Sequence, residues 1–300
     1  MNQIDPWAAS AEKIKLLVES SFATRYDDLE ATLEASSLAV ALVEKWRNEL
    51  PEDVVVAAWT QHGNALRLTS RYDEAESMLA RAGELPVSDP PTGIHLLSVK
   101  ASLHRNTGRY ESAESLLVSA LAAQQPLADP VGLSRIYNLL GICYVESGNR
   151  PQAFCAFQTA LDLLGQGSPR DVLAATGHNL CHALVAAGRL EAASAALVSL
   201  GPLYRGLTST RLLAKADWMR ARLCRALKQL PAAQLAYERA YEILSTGPRS
   251  AELAVLVKEM KELPAANWPA PGFDPSRAVP GGSPCPPGAL RHGGSPPPAT

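Results

Sequence analysis

The sequence predicts an all-α solenoid of antiparallel helix pairs. Three observations predict it: a unit that recurs at a near-constant period, small–large–small spacing within each copy, and a glycine or polar turn between its two helices. The markers Ala75, Ala113, Ala153, Ala193 and Ala233 stand 38 residues apart in the first step and 40 in each later step. A unit that recurs in this way buries its apolar face against its neighbours, so the chain grows by addition instead of closing round a single core.

The third copy is the clearest. Tyr137, Leu140, Gly141 and Tyr144 fall three and four apart and mark a first helix. Gly148 follows, as Gly108 and Gly188 do in the neighbouring copies, and stops that helix by accepting a left-handed conformation. Ala153, Phe157 and Ala160 then mark a second helix, the small residues letting two helices approach and the large one filling the gap. The first copy repeats this as Gly63, Tyr72, Ala75, Leu79 and Ala82; the second as Ala101, Gly108, Tyr110, Ala113, Leu117 and Ala120. The fourth gives Leu180, Gly188, Leu190, Ala193 and Leu197; the fifth Ala221, Leu230, Ala233, Tyr237 and Ala240.

These residues resemble the tetratricopeptide repeat family over roughly Val54 to Leu244, and the Ala/Leu-rich units look like its bacterial kind. The resemblance implies a right-handed superhelix whose first helices line a concave side. The chain departs from the family pattern in its longer period, which calls for longer loops between units. It also departs in the scarcity of the proline that closes a unit, and in a first-helix aromatic kept only as Trp59 and Tyr137.

The expected organisation has four parts. Residues 1–50 form an N-terminal helical pair, Ala11–Ser20 and Asp27–Asn48, acting as a degenerate repeat or cap. Residues 51–247 hold five repeats, and 248–263 a closing helix over Ser250–Leu263. Residues 264–300, with 11 Pro and 6 Gly, form a disordered tail. Pro286-Pro287 and Pro296-Pro297-Pro298 are short enough to dock as polyproline II, and the composition also fits out-of-frame translation of a GC-rich gene.

Charge and composition narrow the function classes. The net charge of −2 gives no case for direct nucleic-acid binding. The charge is unevenly placed: residues 1–90 hold 16 Asp/Glu against 8 Lys/Arg, and residues 201–262 hold 11 Lys/Arg against 6 Asp/Glu. The scattered Cys143, Cys155, Cys181, Cys224 and Cys285 form no CxxC pair and read as buried thiols of a reducing cytoplasm. The N-terminus lacks a signal-peptide pattern and no apolar run spans a bilayer, so a soluble cytoplasmic protein without membrane contact is expected. No phosphate loop or nucleophile elbow occurs, and acid pairs such as Asp73-Glu74 sit at helix starts where they complement the dipole. No enzyme activity and no cofactor are expected.

If the family phase holds, the concave side carries Asn64 and Arg67, His95 and Arg105, Arg135 and Asn138, and His178 and His182. Lys215, Trp218, Arg222 and Arg225 follow on the last unit, with Thr60, Ser98, Ser102 and Arg211 beside these. At about 100° per residue, Lys215, Trp218, Arg222 and Arg225 fall within an arc of about 80°. Cations flanking an aromatic suit a peptide carboxylate or acidic side chains. The same stripe also reads as a solvated basic face with Trp218 packed under the closing helix. His178 and His182 read as solvent-facing groove residues that would make binding pH-sensitive; no Glu follows His178, so no metal is expected. The chaperone-tail clamp pattern is matched only at Asn64.

The function expected is a protein-interaction scaffold or adaptor holding a partner's acidic segment in a basic concave groove. The alternative is a regulatory, signal-peptide-sensing module associated with a bacterial transcription regulator. The ends of such stacks can pair, so a homodimer is compatible with the sequence.

Overall fold

The computed structural model describes residues 6–25, 28–165, 167–205, 209–246 and 251–263. The expected disordered tail, 264–300, lies outside them, as does Cys285. The described residues form thirteen α-helices and no strand. In order these are α1 (Pro6–Thr24), α2 (Leu29–Lys45), α3 (Glu52–Leu68), α4 (Tyr72–Gly83), α5 (Pro90–Asn106), α6 (Tyr110–Gln124) and α7 (Pro130–Glu146). There follow α8 (Arg150–Asp162), α9 (Arg170–Ala186), α10 (Leu190–Arg205), α11 (Thr210–Ala226), α12 (Leu230–Leu244) and α13 (Ala251–Lys261).

Consecutive helices pair from α1/α2 through α11/α12, and each pair stacks on the next. The first helices α3, α5, α7, α9 and α11 touch in succession, whereas successive second helices make no comparable contact. A stack that closes up along its first helices and opens along its second bends toward the first. The first helices therefore line the inner face.

The repeat is visible in the backbone. Gly108, Gly148 and Gly188 adopt φ of 76°, 83° and 73°, and Ser70 and Lys228 hold the equivalent place at 63° and 60°. After each, the next N–H reaches back to a carbonyl of the first helix: Arg71 to Leu66, Arg109 to His104, Asn149 to Tyr144, Arg189 to Leu184 and Gln229 to Cys224. This is the Schellman closure, which satisfies carbonyls a helix end would otherwise leave open. Connections between pairs are longer, as 84–89 compared with 69–71. The first helices of α5 and α7 start on caps from Asp89 to Thr92 N–H and Asp129 to Val131 N–H, each followed by proline.

The small–large–small residues form the core. Ala75, Leu79 and Ala82, Ala113, Leu117 and Ala120, Ala153, Phe157 and Ala160, and Ala233, Tyr237 and Ala240 are all buried. A Cβ on Gly141 would lie 2.6 Å from Cδ1 of Phe157, so the close approach of α7 and α8 needs glycine there. The fourth pair differs: Leu197 is half-buried, and Leu200 fills the deep position against Gly177. Cys143, Cys181 and Cys224 are buried, but Cys155 is exposed, because it lies on the outward side of α8 away from the Ala153–Phe157–Ala160 stripe.

Candidate partner-binding face

The inner face divides into an open part and a covered part. The open part is a cleft of about 380 Å³ along α1, α3, α5, α7 and α9. Asn64, Arg67, His95, Arg135 and Asn138 line it, with Ser98 and Ser102. Arg105, His178, His182 and the α11 residues do not.

Most polar groups in the cleft are held in place. The Asn64 carboxamide oxygen accepts from Arg67 Nε and Nη2 at 3.2 and 2.8 Å, and Arg67 Nη1 reaches the Asn106 oxygen of the next pair at 3.3 Å. Asn138 accepts from Asn179 at 2.9 Å. The His95 ring meets Phe22 edge-on at 6.0 Å and lies 3.4 Å from Gln61. Burial, with Arg25 and Arg67 adding repulsion, pushes its pKa down to about 4. Arg135 differs: it is exposed and makes no hydrogen bond or ion pair among the described residues. Arg105 lies outside the cleft, paired with Glu146 of the next first helix.

The covered part lies on α11, and α13 covers it. Glu252 receives Arg211 at 2.7 Å and Lys215 at 2.8 Å. Glu259 receives Arg222 Nη2 at 2.6 Å, the Trp218 indole N–H at 2.8 Å and the Tyr237 hydroxyl at 3.0 Å. Arg225 pairs with Glu262 at 3.2 Å. The Arg222 guanidinium also stacks 4.4 Å over the Trp218 ring. Burial opposes ionisation of Glu252, but Lys215 and Arg211 outweigh it and hold its carboxyl at about 2. Burial likewise opposes Glu259, and Arg222, Trp218 and Tyr237 together lower its pKa. Trp218 is packed beneath the closing helix, and the stripe is neutralised by the chain itself.

The histidines require a correction. His178 and His182 are partly buried, and His178 Nδ1 lies 3.3 Å from the Tyr204 hydroxyl. Burial, reinforced by Lys215 for His178 and by Arg222 for His182, pushes their pKa values to about 3 and about 4. Both stay neutral through the physiological range, so they supply no pH switch there.

Sequence reasoning missed Phe22 of α1 and Arg25 just after it, which line the cleft from outside the repeat phase. It also missed Asp129 and Asp171, which bring acid to a face read as cationic. Glu252, Glu259 and Glu262 were missed as occupants of the stripe. A signal for these existed: Arg105–Glu146, Asn138–Asn179, Arg211–Glu252 and Trp218–Glu259 all join residues 41 apart.

Helix pairs stacked with a polar inner face define a class by fold, the helical-repeat α-solenoids, and comparison with known proteins agrees with that fold. Residues 94–166 match the tetratricopeptide repeat family model, and the stack built around that segment is a tetratricopeptide-like α-solenoid. No curated protein matches the sequence. Among solved structures, PlcR of Bacillus thuringiensis, in complex with the peptide PapR7 and DNA, is similar with a TM-score of 0.58 at 14% identity. That match covers 86% of this chain and 100% of PlcR. A signal-transduction ATPase of Pyrococcus horikoshii with a tetratricopeptide repeat sensor gives 0.57 at 13% identity, over 86% of this chain and 41% of that one. BtubC of P. vanneervenii gives 0.55 at 18% identity, over 73% and 91%. At these identities the likeness is one of fold.

Proposed function

We propose that the chain is a protein-interaction module that holds a segment of a partner protein on its first-helix face. The observation that carries this reading is the open cleft, which draws on five first helices and holds an exposed cation, Arg135, that has no partner among the described residues. Arg gives paired N–H donors to a carboxylate, and Phe22 and Ile94 in the same cleft offer apolar contact. A partner segment with acidic and apolar side chains fits that lining. Asn64, Arg67, His95 and Asn138 would contact it in the cleft. Arg105, His178, His182, Lys215, Trp218, Arg222 and Arg225 would extend the face toward the C-terminal end only once α13, which pairs with the α11 residues, is displaced.

In this reading residues 51–247 supply the binding repeats, 1–50 cap one end and 248–263 close the other. The module would act as a cytoplasmic scaffold or adaptor of bacterial type, with no catalysis and no direct contact with nucleic acid or membrane. Two copies would be able to pair through their ends. Among the described residues, no helix is long and apolar enough to cross a membrane.

A labelled synthetic peptide of alternating Glu and Leu tests the reading by fluorescence anisotropy. Binding is expected for that peptide and not for its Gln-for-Glu counterpart, and Arg135→Glu should weaken it by about tenfold or more. Equal affinity of the two peptides, or no response to Arg135→Glu, would remove the reading.

The likeness to PlcR, solved with a bound peptide, supports a second reading: a peptide-sensing regulatory module that works through a transcription regulator. An adjacent regulator or sensor-kinase gene favours it, and a secretion or assembly cluster favours the scaffold.

A further inference from the structure

We propose that α13 is an intramolecular ligand. It occupies a built site for an acidic amphipathic helix on α11 and α12, and a partner helix of the same pattern takes that site by displacing it. The inference rests on the reading of the stack as an interaction module and concerns its other end.

The site is made by α11 and α12, and α13 supplies only acceptors and apolar side chains. Four donors from three residues converge on the Glu259 carboxylate: Arg222 Nε and Nη2, the Trp218 indole and the Tyr237 hydroxyl. Trp218 and Tyr237 are core residues, 8% and 0% exposed, so packing fixes their rings. Their polar tips need an acceptor whether or not α13 provides it. Arg211 and Lys215 form a second carboxylate position one end of the helix away, and Arg225 a third. Three carboxylate positions beside an apolar seat make a recognition surface for one helix face.

The manner in which α13 sits is unlike that of the other first helices. Those helices touch their predecessors along the backbone, from α3 to α11. The backbone of α13 approaches α12, and it reaches α11 through long charged side chains. Its apolar contribution is Leu256, Met260 and Leu263, which close the cluster formed by Trp218, Tyr237 and Leu244. A short apolar stripe, with ion pairs in place of backbone packing on α11, holds such a helix less firmly than a full first-helix interface.

The pattern names the occupant. Glu252, Leu256, Glu259, Met260, Glu262 and Leu263 put three acids on one stripe and three apolar residues beside it. A partner helix bearing carboxylates at these spacings presents the same face. Tethered to α12, α13 competes at the high effective concentration of a short connection, so the partner is excluded until α13 releases or is outcompeted.

The probe is a labelled synthetic peptide with the sequence of residues 251–263, titrated by anisotropy into the full chain. Wild type should bind it weakly. Glu259→Lys combined with Glu252→Lys repels α13 from its own seat and leaves α11 and α12 unaltered, so it should bind the peptide at least about thirtyfold more tightly. A peptide with Gln at the three Glu positions should not bind. If the folded variant binds the peptide no more tightly than wild type, the proposal is wrong. Hydrogen exchange on the wild-type chain gives an arm independent of the variant: α13 amides should exchange by local opening well before those of α11 and α12. Exchange of α13 only together with α12 would overturn the proposal. Loss of acidic-peptide binding on Arg135→Glu with no response to the α13 variant would sink this inference alone; binding in neither assay would sink the module reading as well.

Discussion

Arg222 of α11 grips Glu259 of α13 with two nitrogens, Nε at 3.0 Å and Nη2 at 2.6 Å, while its guanidinium carbon lies 4.4 Å from the centre of the Trp218 ring. The two side chains are 18% and 14% exposed, so the pair is largely withdrawn from water. A cation on the inner face of the last repeat is therefore a structural clasp as well as a candidate contact.

Charge reversal at this clasp should cost stability. Arg222→Glu leaves Glu259 facing a second acid with its bidentate partner gone, and about 2–4 kcal/mol is expected from the loss of a half-buried pair, discounted for its residual exposure. Urea unfolding measures it. A double-mutant cycle of Arg222→Ala with Glu259→Gln should give a coupling of about 1–3 kcal/mol. Purely additive losses would show that the pair is incidental.

Acid should loosen α13. The folded pKa of Glu252 is depressed to about 2 from an ordinary 4.5, and that of Glu259 is lowered too. Depressed carboxyls contribute stability above their unfolded pKa and lose it as pH falls, here between 4.5 and about 2. His95, His178 and His182 add to the loss from higher pH. Their folded pKa values lie at about 4, 3 and 4 against 6.5, so unfolding takes up protons progressively as pH drops below 6.5. The Trp218 indole N–H resonance should keep its position through neutral pH and shift only in acid. A shift near pH 6.5 would mean that a histidine beside the clasp titrates after all.

The packing requirement at Gly141 should be severe. A Cβ there meets the Phe157 ring, which core packing holds on every side, so Gly141→Ala should destabilise by about 1–3 kcal/mol despite the better helix propensity of alanine. Thermal unfolding checks this, and a neutral or stabilising result would show that the two helices have room to part.

The left-handed turn residues give an opposite test. Lys228 holds φ 60° where Gly108, Gly148 and Gly188 hold the equivalent conformation. Lys228→Gly should stabilise the chain by about 1 kcal/mol by removing side-chain strain in that region. Gly148→Ala should cost about as much. Equal melting temperatures across the set would contradict the Schellman reading.

The helix pairs were legible because their spacing is local. Ala153, Phe157 and Ala160 specify one face of one helix, and Gly148 specifies where the previous helix stops, so each copy carries its own instructions. The inner face was legible only in part. Arg135 and Asn138 could be placed by phase alone. The partners of Arg222 and Trp218 depend on how α13 docks, which no single copy encodes. Phe22 could not be placed by phase, because α1 lies upstream of the markers Ala75 to Ala233 that set the phase. His178 and His182 were misjudged as solvent-facing because a position on the inner stripe does not report how closely the neighbouring first helix approaches.

In the proposed function the first-helix face receives a partner segment. Amide chemical-shift mapping tests it most directly, with the Glu/Leu peptide titrated into the full chain. Shifts should concentrate on α3, α5 and α7 around Arg67, His95 and Arg135 and be abolished by Arg135→Glu. Shifts confined to the second helices α4, α6 and α8, or none at saturating peptide, would contradict it.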